Sequence, residues 1–469
     1  MQEDSATPSA NMLFVFAIVA VATIGGFMFG YDSGVINGTQ DGLQHAFSLT
    51  RFETGFNVAA ILVGCACGAF IAGRLADSIG RRTVMIIAAI FFLLSALAAG
   101  DAPSSIVFIF ARFIGGLGVG AASVLCPAYI SEVTPARSRG KLASLQQIMI
   151  IIGLTGAFLA NYVLAKVAGG STGILWLGYP AWRWMFWMQT IPAAVFLIML
   201  LVIPESPRFL VSRGRMAQAQ KVLDRILGAT EAARKVEEIT RSLAADQHRP
   251  TLSDLLDGAG KIRRIVWVGI GLAVFQQLVG INIVFYYGTV LWESVGFSES
   301  DSLLINVVSG VLSIGACIFT IFTVDRIGRK PLLLIGSVGM AVTLGLVAAA
   351  FATGSLVHGS LQLSHPAGVL ALVSANLYVV FFNASWGPVM WVMLGEMFPN
   401  QIRGSGLAVA GFAQWMANYA ISVSFPVLAS SVGLVVTYGC YALSALVSFF
   451  FVRAMVQETR GMELEQMSG

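Results

Sequence analysis

Apolar stretches long enough to cross about 30 Å of hydrocarbon, roughly 20 residues of helix each, recur along nearly the whole chain. They fall at 12–38, 54–73, 83–100, 105–126, 140–164 and 184–203, and again at 265–289, 302–324, 331–352, 367–393, 404–428 and 432–454. The pattern predicts an all-α membrane protein of twelve transmembrane helices in two six-helix sets. Between the sets lies a stretch rich in Arg, Lys, Glu and Gln, with helical periodicity around Met216 to Leu243. The expected divisions are an N-terminal half over 1–203, a cytoplasmic linker with short helices over 204–264, a C-terminal half over 265–454 and a cytoplasmic tail over 455–469.

Composition agrees. The chain is 57% hydrophobic and 11% charged with a mean hydropathy of +0.81, whereas a soluble domain carries about 25% charged residues. Lipid is therefore the main solvent. Of the 28 Lys and Arg, only Arg51, Lys166 and Arg183 fall in the odd-numbered loops and Arg112 lies inside a span; the rest sit in the even-numbered loops and the tail. Short cytoplasmic loops retain positive charge, so both termini are expected in the cytoplasm. The first residues, MQEDSATPSAN, carry no basic region, and no cleavable signal is expected.

Several function classes drop out. Cys65, Cys67, Cys126, Cys317 and Cys440 all lie in apolar spans and read as small buried hydrophobes with no metal partners. All four histidines lie outside the spans, which excludes an intramembrane His relay. No nucleophile with a base, metal cluster or phosphate loop is present, so no enzyme, cofactor, metal or nucleic-acid partner is expected. Gly115-Gly116-Leu117-Gly118-Val119-Gly120 lies mid-span without a preceding strand, and its small residues suit close helix packing.

The two sets repeat each other. Gly73-Arg74-Leu75-Ala76-Asp77-Ser78-Ile79-Gly80-Arg81-Arg82 follows span two, and Val324-Asp325-Arg326-Ile327-Gly328-Arg329-Lys330 follows span eight. Ser131-Glu132-Val133-Thr134-Pro135 with Arg139-Gly140 follows span four; Gly395-Glu396-Met397-Phe398-Pro399 with Arg403-Gly404 follows span ten. Parallel halves with nested three-helix repeats are a transporter layout, with the solute site at their interface near the midplane. Positive-inside topology explains the arginines but not the paired acids. Asp77 with Arg81, Glu132 with Arg139, Asp325 with Arg329 and Glu396 with Arg403 are expected to tie helix ends together and hold the cytoplasmic gate shut.

These motifs carry a family resemblance. The stretch from Gly73 to Arg82 resembles the loop motif of the major facilitator superfamily, and Pro204-Glu205-Ser206-Pro207-Arg208-Phe209-Leu210 resembles the hallmark of its sugar porter family. Glu205 and Arg208 thereby join the gate set. Gln276-Gln277-Leu278-Val279-Gly280-Ile281-Asn282 and Glu458-Thr459-Arg460-Gly461 match the same family, in family order along essentially the whole chain.

Gln276 and Gln277 lie about eleven residues, about 16 Å, into span seven and so near the bilayer centre. An amide offers both the donors and the acceptors a sugar hydroxyl needs; amides that only bond neighbouring helices are the alternative. Asn282 lies further out, past Gly280. Gln147 in span five and Gln414, Trp415 and Asn418 in span eleven also lie away from the helix ends. Trp391 follows the breaker Trp386-Gly387-Pro388 and reads either as a sugar-face stacker or as an inner-interface anchor. The resemblance implies that Gln147, Gln276, Gln277, Asn282, Trp391, Gln414 and Trp415 line the sugar site, with Phe29 at a matching aromatic position. Two departures from the family, Ser313 in span eight and Asn383 before the span-ten break, bear on the choice of sugar.

Asp32 in span one and Arg112 in span four are the charged residues well inside the spans, both roughly 10 Å below the outer surface. Such charges are costly and usually functional. Matching depth makes them partners, either in a static bridge or in one that changes contacts to load and unload a proton. Proton-coupled sugar porters, by resemblance, carry this Asp in Gly30-Tyr31-Asp32 and this Arg. The expected function is import of a monosaccharide (glucose, xylose or similar) by alternating access with proton symport, by a monomer in a bacterial plasma membrane. A passive facilitator is the alternative, and a non-transporting sugar sensor the alternative of another class. Only a short tail follows Arg453, where a sensor needs an output segment. Drug efflux favours a Gly-Pro pattern in span five, but Ile150 to Asn161 reads IIIGLTGAFLAN.

Overall fold

The computed structural model describes residues 11–134, 139–245, 255–256, 260–357, 360–399 and 402–460. Its first half is built from α1 (Met12–Val35), the short α2 (Gln40–Phe47), α3 (Arg51–Ile79), α4 (Arg81–Asp101), α5 (Ser105–Val133), α6 (Arg139–Ala168), α7 (Ala181–Met188) and α8 (Thr190–Leu200). Three short helices follow: α9 (Pro207–Ser212), α10 (Met216–Leu227) and α11 (Ala229–Ala245). The second half comprises α12 (Arg264–Leu278), α13 (Ile281–Ser294), α14 (Glu299–Ile327), α15 (Arg329–Ala352), α16 (His365–Asn383), α17 (Trp386–Met397), α18 (Arg403–Ser431) and α19 (Gly433–Met455). Spans six, seven and ten are thus each made of two helices, giving twelve transmembrane helices in two pseudo-symmetric halves. Between α15 and α16 the chain forms a small antiparallel hairpin, β1 (Ser355–Val357) with β2 (Ser360–Gln362), which apolar length alone does not reveal.

Eleven of the spans are both long and apolar enough to cross a membrane by composition. The twelfth, α18, has the length but falls short in apolarity among the described residues. It is the helix that carries Gln414, Trp415 and Asn418.

Local chemistry sets the helix ends. A capping box opens α3: Thr50 Oγ1 accepts from Glu53 N at 3.3 Å and Glu53 Oε2 accepts from Thr50 N at 2.7 Å. The duplicated loops turn alike, at Gly80 (φ 103°, ψ 153°) and Gly328 (φ 102°, ψ 161°), a backbone region closed to side-chain-bearing residues. The glycine run of α5 packs on α3 at backbone distance; a Cβ on Gly116 would lie 2.1 Å from the Ile61 carbonyl oxygen.

Asn11 N at the start of α1 bonds the carbonyl of Ile226 in α10, and Arg213 after α9 bonds the carbonyls of Asp77 and Ser78, so α9–α11 pack at one end of the bundle. This is the linker end; the opposite end is the far end. The halves meet along α3 against α18 and α6 against α14. The cysteine expectation needs correction: Cys65, Cys126 and Cys317 are buried, but Cys67 is half-buried and Cys440 exposed. A thiol on an apolar face turned to lipid loses nothing by leaving the core.

Candidate functional site

Two helix breaks shape the centre of the second half. Gly280 takes φ +79° between α12 and α13, and a Cβ there would lie 2.6 Å from the Tyr441 ring, so both conformation and space call for glycine. The second break, at Ala384-Ser385, separates α16 from α17. Across these breaks the amides form one chain. Gln276 Nε2 donates to the carbonyls of Trp386 (3.1 Å) and Gly387 (3.3 Å). Gln276 Oε1 accepts from Gln277 Nε2 at 3.1 Å and from Gln414 Nε2 at 2.9 Å. Asn282 Nδ2 closes the chain on Gln277 Oε1. Gln414 Oε1 is buried without a hydrogen-bond partner among the described residues. A buried amide oxygen in that condition costs about 1–3 kcal/mol, which a hydroxyl donor would relieve.

Phe29 of α1 and Trp415 of α18 pack with ring centroids 5.7 Å apart, so one aromatic pair spans the halves beside the amide chain. Asn418 sits one turn beyond Gln414 and donates to the Tyr286 hydroxyl at 3.3 Å. Gln147 is half-buried on α6, and no bond among the described residues joins it to the amides. Trp391 is 40% exposed while Trp415 is 4% exposed, so the two tryptophans do not share one environment. The departures Ser313 and Asn383 are a single contact: Asn383 Nδ2 donates to Ser313 Oγ at 3.1 Å, and Ser313 Oγ donates to the Ser309 carbonyl at 2.7 Å.

Asp32 and Arg112 meet in the first half, each no more than 1% exposed. Arg112 Nη1 pairs with Asp32 Oδ1, and Nη2 donates to the main-chain oxygen of Asp32 at 3.0 Å. The guanidinium stacks 5.6 Å from the Phe186 ring centroid. Asp32 Oδ2 and Arg112 Nε are buried without partners among the described residues, so the pair is incompletely satisfied.

At the linker end Asp77–Arg81 and Asp325–Arg329 pair as expected, while Glu132 and Glu396 pair differently from the expectation. Arg81 bonds Asp77 (2.8 Å) and Glu132 (3.2 Å), and Arg329 bonds Asp325 (3.0 Å) and Glu396 (2.8 Å). Glu132 therefore goes to Arg81; the side chain of its expected partner Arg139 lies outside the described residues. Glu396 goes to Arg329, while Arg403 Nε donates to the Phe398 carbonyl at 3.2 Å. The reason is geometric: the glycine turns deliver Arg81 and Arg329 to the first turns of α4 and α15, beside the ends of α5 and α17. A further correction is that these ties join helices of one half, not the two halves.

Each corner is completed by a motif after the half's last span. Ser206 Oγ donates to Glu132, while Glu205 Oε1 accepts from the backbone N–H of Arg82 (3.1 Å) and Ser206 (2.8 Å). In the second half Thr459 Oγ1 donates to Glu396 at 2.6 Å, and Glu458 accepts from Arg329 N (3.0 Å) and Lys330 N (2.9 Å). Glu205-Ser206 and Glu458-Thr459 are thus counterparts, a correspondence available in the sequence from the shared Glu-Ser/Thr pair. The charge of Arg208 also acts on Glu132.

Sequence reasoning missed the polar junction at the far end. Asn37 Nδ2 donates to the Phe285 carbonyl at 2.7 Å, and its Oδ1 accepts from Thr289 N (3.0 Å), Thr289 Oγ1 and Asn306 Nδ2 (3.1 Å). Gln40 Nε2 donates to the Tyr286 carbonyl, and Glu299 Oε1 accepts from Ser171 N at 2.7 Å. All of these join the first half to the second. The only signal was a cluster of amides at predicted span ends, where polar residues are ordinary.

Two pseudo-symmetric six-helix halves, an amide and aromatic centre between them and a buried ion pair define a secondary transporter of the major facilitator fold. The family model described as "Sugar (and other) transporter" matches residues 18–469. The glucose transport protein of Synechocystis sp. is 49% identical over 467 residues, covering 99% of each chain. The D-xylose-proton symporter of Escherichia coli K12 is 38% identical over 493 residues, covering 97% of this chain and 96% of that protein. The solved inward-open xylose transporter of E. coli superposes with a TM-score of 0.82 at 36% identity over 97% of this chain and 99% of the other. The chain belongs to the sugar porter family of the major facilitator superfamily. It is a multi-pass membrane protein of sugar transport and not an enzyme.

Proposed function

We propose that this chain imports a monosaccharide, glucose or a close relative such as xylose, by alternating access with proton symport. The observation that carries the symport reading is the buried Asp32–Arg112 pair with one carboxylate oxygen left unpartnered among the described residues. Protonation of Asp32 removes the charge that holds Arg112, so proton binding changes the force on α1. Gln276, Gln277, Asn282 and Gln414 offer hydrogen bonds to sugar hydroxyls, with Gln414 Oε1 as a ready acceptor, while Phe29 and Trp415 supply an apolar wall. Asn418, Gln147 and Trp391 complete the set as α18, α6 and α17 shift around the sugar. The names of the relatives, a glucose transport protein and a D-xylose-proton symporter, support the same reading.

In this reading the linker end and both termini face the cytoplasm of a bacterium, and the far-end junction is the external gate, closed here. The corners built on Arg81 and Arg329, with Asp77, Glu132, Glu205, Arg208, Asp325 and Glu396, keep each half rigid as it rocks; Arg139 and Arg403 lie next to them in sequence. The protein works as a monomer in the lipid bilayer, without cofactor or metal. Uptake of labelled glucose into proteoliposomes tests the proposal. An inside-alkaline pH gradient is expected to drive accumulation above equilibrium; sugar entry that only equilibrates would make the protein a passive facilitator instead.

A further inference from the structure

The Asp32 carboxylate has two unlike oxygens. Oδ1, together with the main-chain oxygen of the same residue, goes to the Arg112 guanidinium, while Oδ2 is buried without a partner among the described residues. A proton reaching Asp32 therefore has its seat on Oδ2, where it displaces no Arg112 contact. The O–H formed there needs an acceptor, because a buried donor left unmade is costly.

Ser95 of α4 is placed to be that acceptor. About one turn beyond Arg112 on α5, Gly115 has no side chain, and a Cβ there would overlap the Ser95 hydroxyl and lie 3.2 Å from Asp32 Oδ2. The two oxygens thus flank one small space, which is open because residue 115 is glycine. Ser95 is 2% exposed within the apolar run of α4. A serine hydroxyl accepts through its lone pairs while its own O–H turns back to a carbonyl of its helix. α1, α4 and α5 pack on one another within the first half, so the arrangement travels with that half as it rocks.

The surroundings leave the titration to the carboxylate. Arg112 supplies the opposing charge, Tyr31 precedes Asp32 on α1, Cys65 of α3 feels both members of the pair and Tyr286 of α13 feels Arg112. Thiols and phenols ionise only above about pH 8. α6 meets this stretch of α1 through Ile150 and Leu154, and Phe186 of α7 covers the guanidinium.

We propose that Ser95 is the positioning residue for the transported proton: the proton binds Asp32 Oδ2, the carboxylate loses its charge, and the new O–H donates to Ser95 Oγ until the proton leaves from the same oxygen. The use in transport rests on the symport reading above; the bond itself does not. Because the bond belongs to the protonated form, removing it lowers the proton affinity of Asp32.

Two measurements on the full chain test this. Infrared difference spectra of the purified protein across a pH titration are expected to show a protonated-carboxyl band that Asp32→Asn abolishes. In Ser95→Ala the band is expected at higher wavenumber, the mark of a lost hydrogen bond, with its midpoint lower by about half a pH unit to one unit, the worth of one net hydrogen bond. Gly115→Ala, whose methyl takes the shared space, is expected to reproduce that shift, and Ser95→Thr, which keeps the hydroxyl, to restore the wild-type midpoint. In proteoliposomes, the external pH at which gradient-driven glucose uptake falls to half is expected to move down with the band in Ser95→Ala. A band that is absent or unmoved overturns the proposal, as does a midpoint that rises, which makes the serine a donor to the ionised carboxylate. Equal loss of uptake at every pH also overturns it and marks a structural role. A wild-type protein that equilibrates glucose without accumulating it, yet gives the expected infrared result, overturns the symport reading alone.

Discussion

Gln276 Oε1 receives two amide donors while its Nε2 is spent on two backbone carbonyls, so this side chain is fixed before any sugar arrives. Gln277 and Gln414 are oriented by it, and Gln414 Oε1 is left without a partner among the described residues. Gln277→Ala is expected to raise the half-saturating sugar concentration roughly tenfold, since a net hydrogen bond is worth about 0.5–1.5 kcal/mol and 1.4 kcal/mol is tenfold. Gln276→Ala is expected to do worse, because it releases both neighbours; initial-rate uptake over a range of glucose concentrations separates the two. Asp32→Asn keeps the shape of the pair and removes its charge, so it is expected to retain counterflow and lose uphill uptake. Loss of glucose binding in that variant, read by tryptophan fluorescence, would argue for a static bridge. The amides and the charged pair were legible in the sequence because polar side chains deep in apolar runs are few. Their pairings were not. That Ser313 meets Asn383, or that Glu132 meets Arg81, depends on how neighbouring helices are rotated and staggered, which spacing along one helix does not encode.

At the scale of elements, the duplicated corner is the unit that repeats most faithfully: glycine turn, arginine, acid from the next helix pair, and a Glu-Ser/Thr cap from beyond the last span. Glu458 sits outside the spans and caps the start of α15. Burial pushes its carboxyl up, but backbone N–H donors from Arg460, Arg329, Lys330 and Thr459 outweigh that and hold its pKa below the ordinary 4.5. A carboxylate with a lowered pKa stabilises the fold fully at pH above 4.5, and the contribution fades as pH falls through the lowered value. Amide exchange at Arg329 and Lys330 is therefore expected to speed up in acid below that point, and Glu458→Gln should exchange fast at neutral pH as well. Unchanged protection in that variant would mean that the cap does not hold the turn. The sequence announced the loops as repeats and paired Asp77 with Arg81 and Asp325 with Arg329 as they stand, but it gave Glu132 and Glu396 arginines of their own loops; the turn at glycine reverses the chain and brings Arg81 and Arg329 to them instead. Spans seven and ten likewise read as single helices, although Gly280 and Pro388 marked where they divide.

For the whole molecule, the balance between the two ends decides which side the centre faces. Asn37 alone makes four of the hydrogen bonds that close the far end. Asn37→Ala is expected to shift the population toward a far-end-open form by about tenfold, the worth of roughly 1.4 kcal/mol. Spin labels on the far ends of α3 and α14 would read the shift as a longer distance, whereas an unchanged distance distribution would show that α3 against α18 and α6 against α14 hold the closed form unaided. The twelve-span plan, the two halves and the linker helices were legible from hydropathy and repeats. The far-end junction was not, because its amides sit near the ends of spans, where polar residues are ordinary.

The shortfall of apolarity in α18 reaches back to how the chain is made. A helix bearing Gln414, Trp415, Asn418 and Tyr419 partitions poorly on its own from the translocation channel into lipid, since each amide must leave water and finds no partner there until it docks against α12. Its insertion must therefore wait on earlier segments: α3 and α12, synthesised before it and flanking it in the finished bundle, offer the surface it settles against. Grafted alone into a host protein, α18 should be translocated rather than retained, while α19 should insert unaided. The same polar residues that make a place for sugar thus make this helix the last to commit to the membrane.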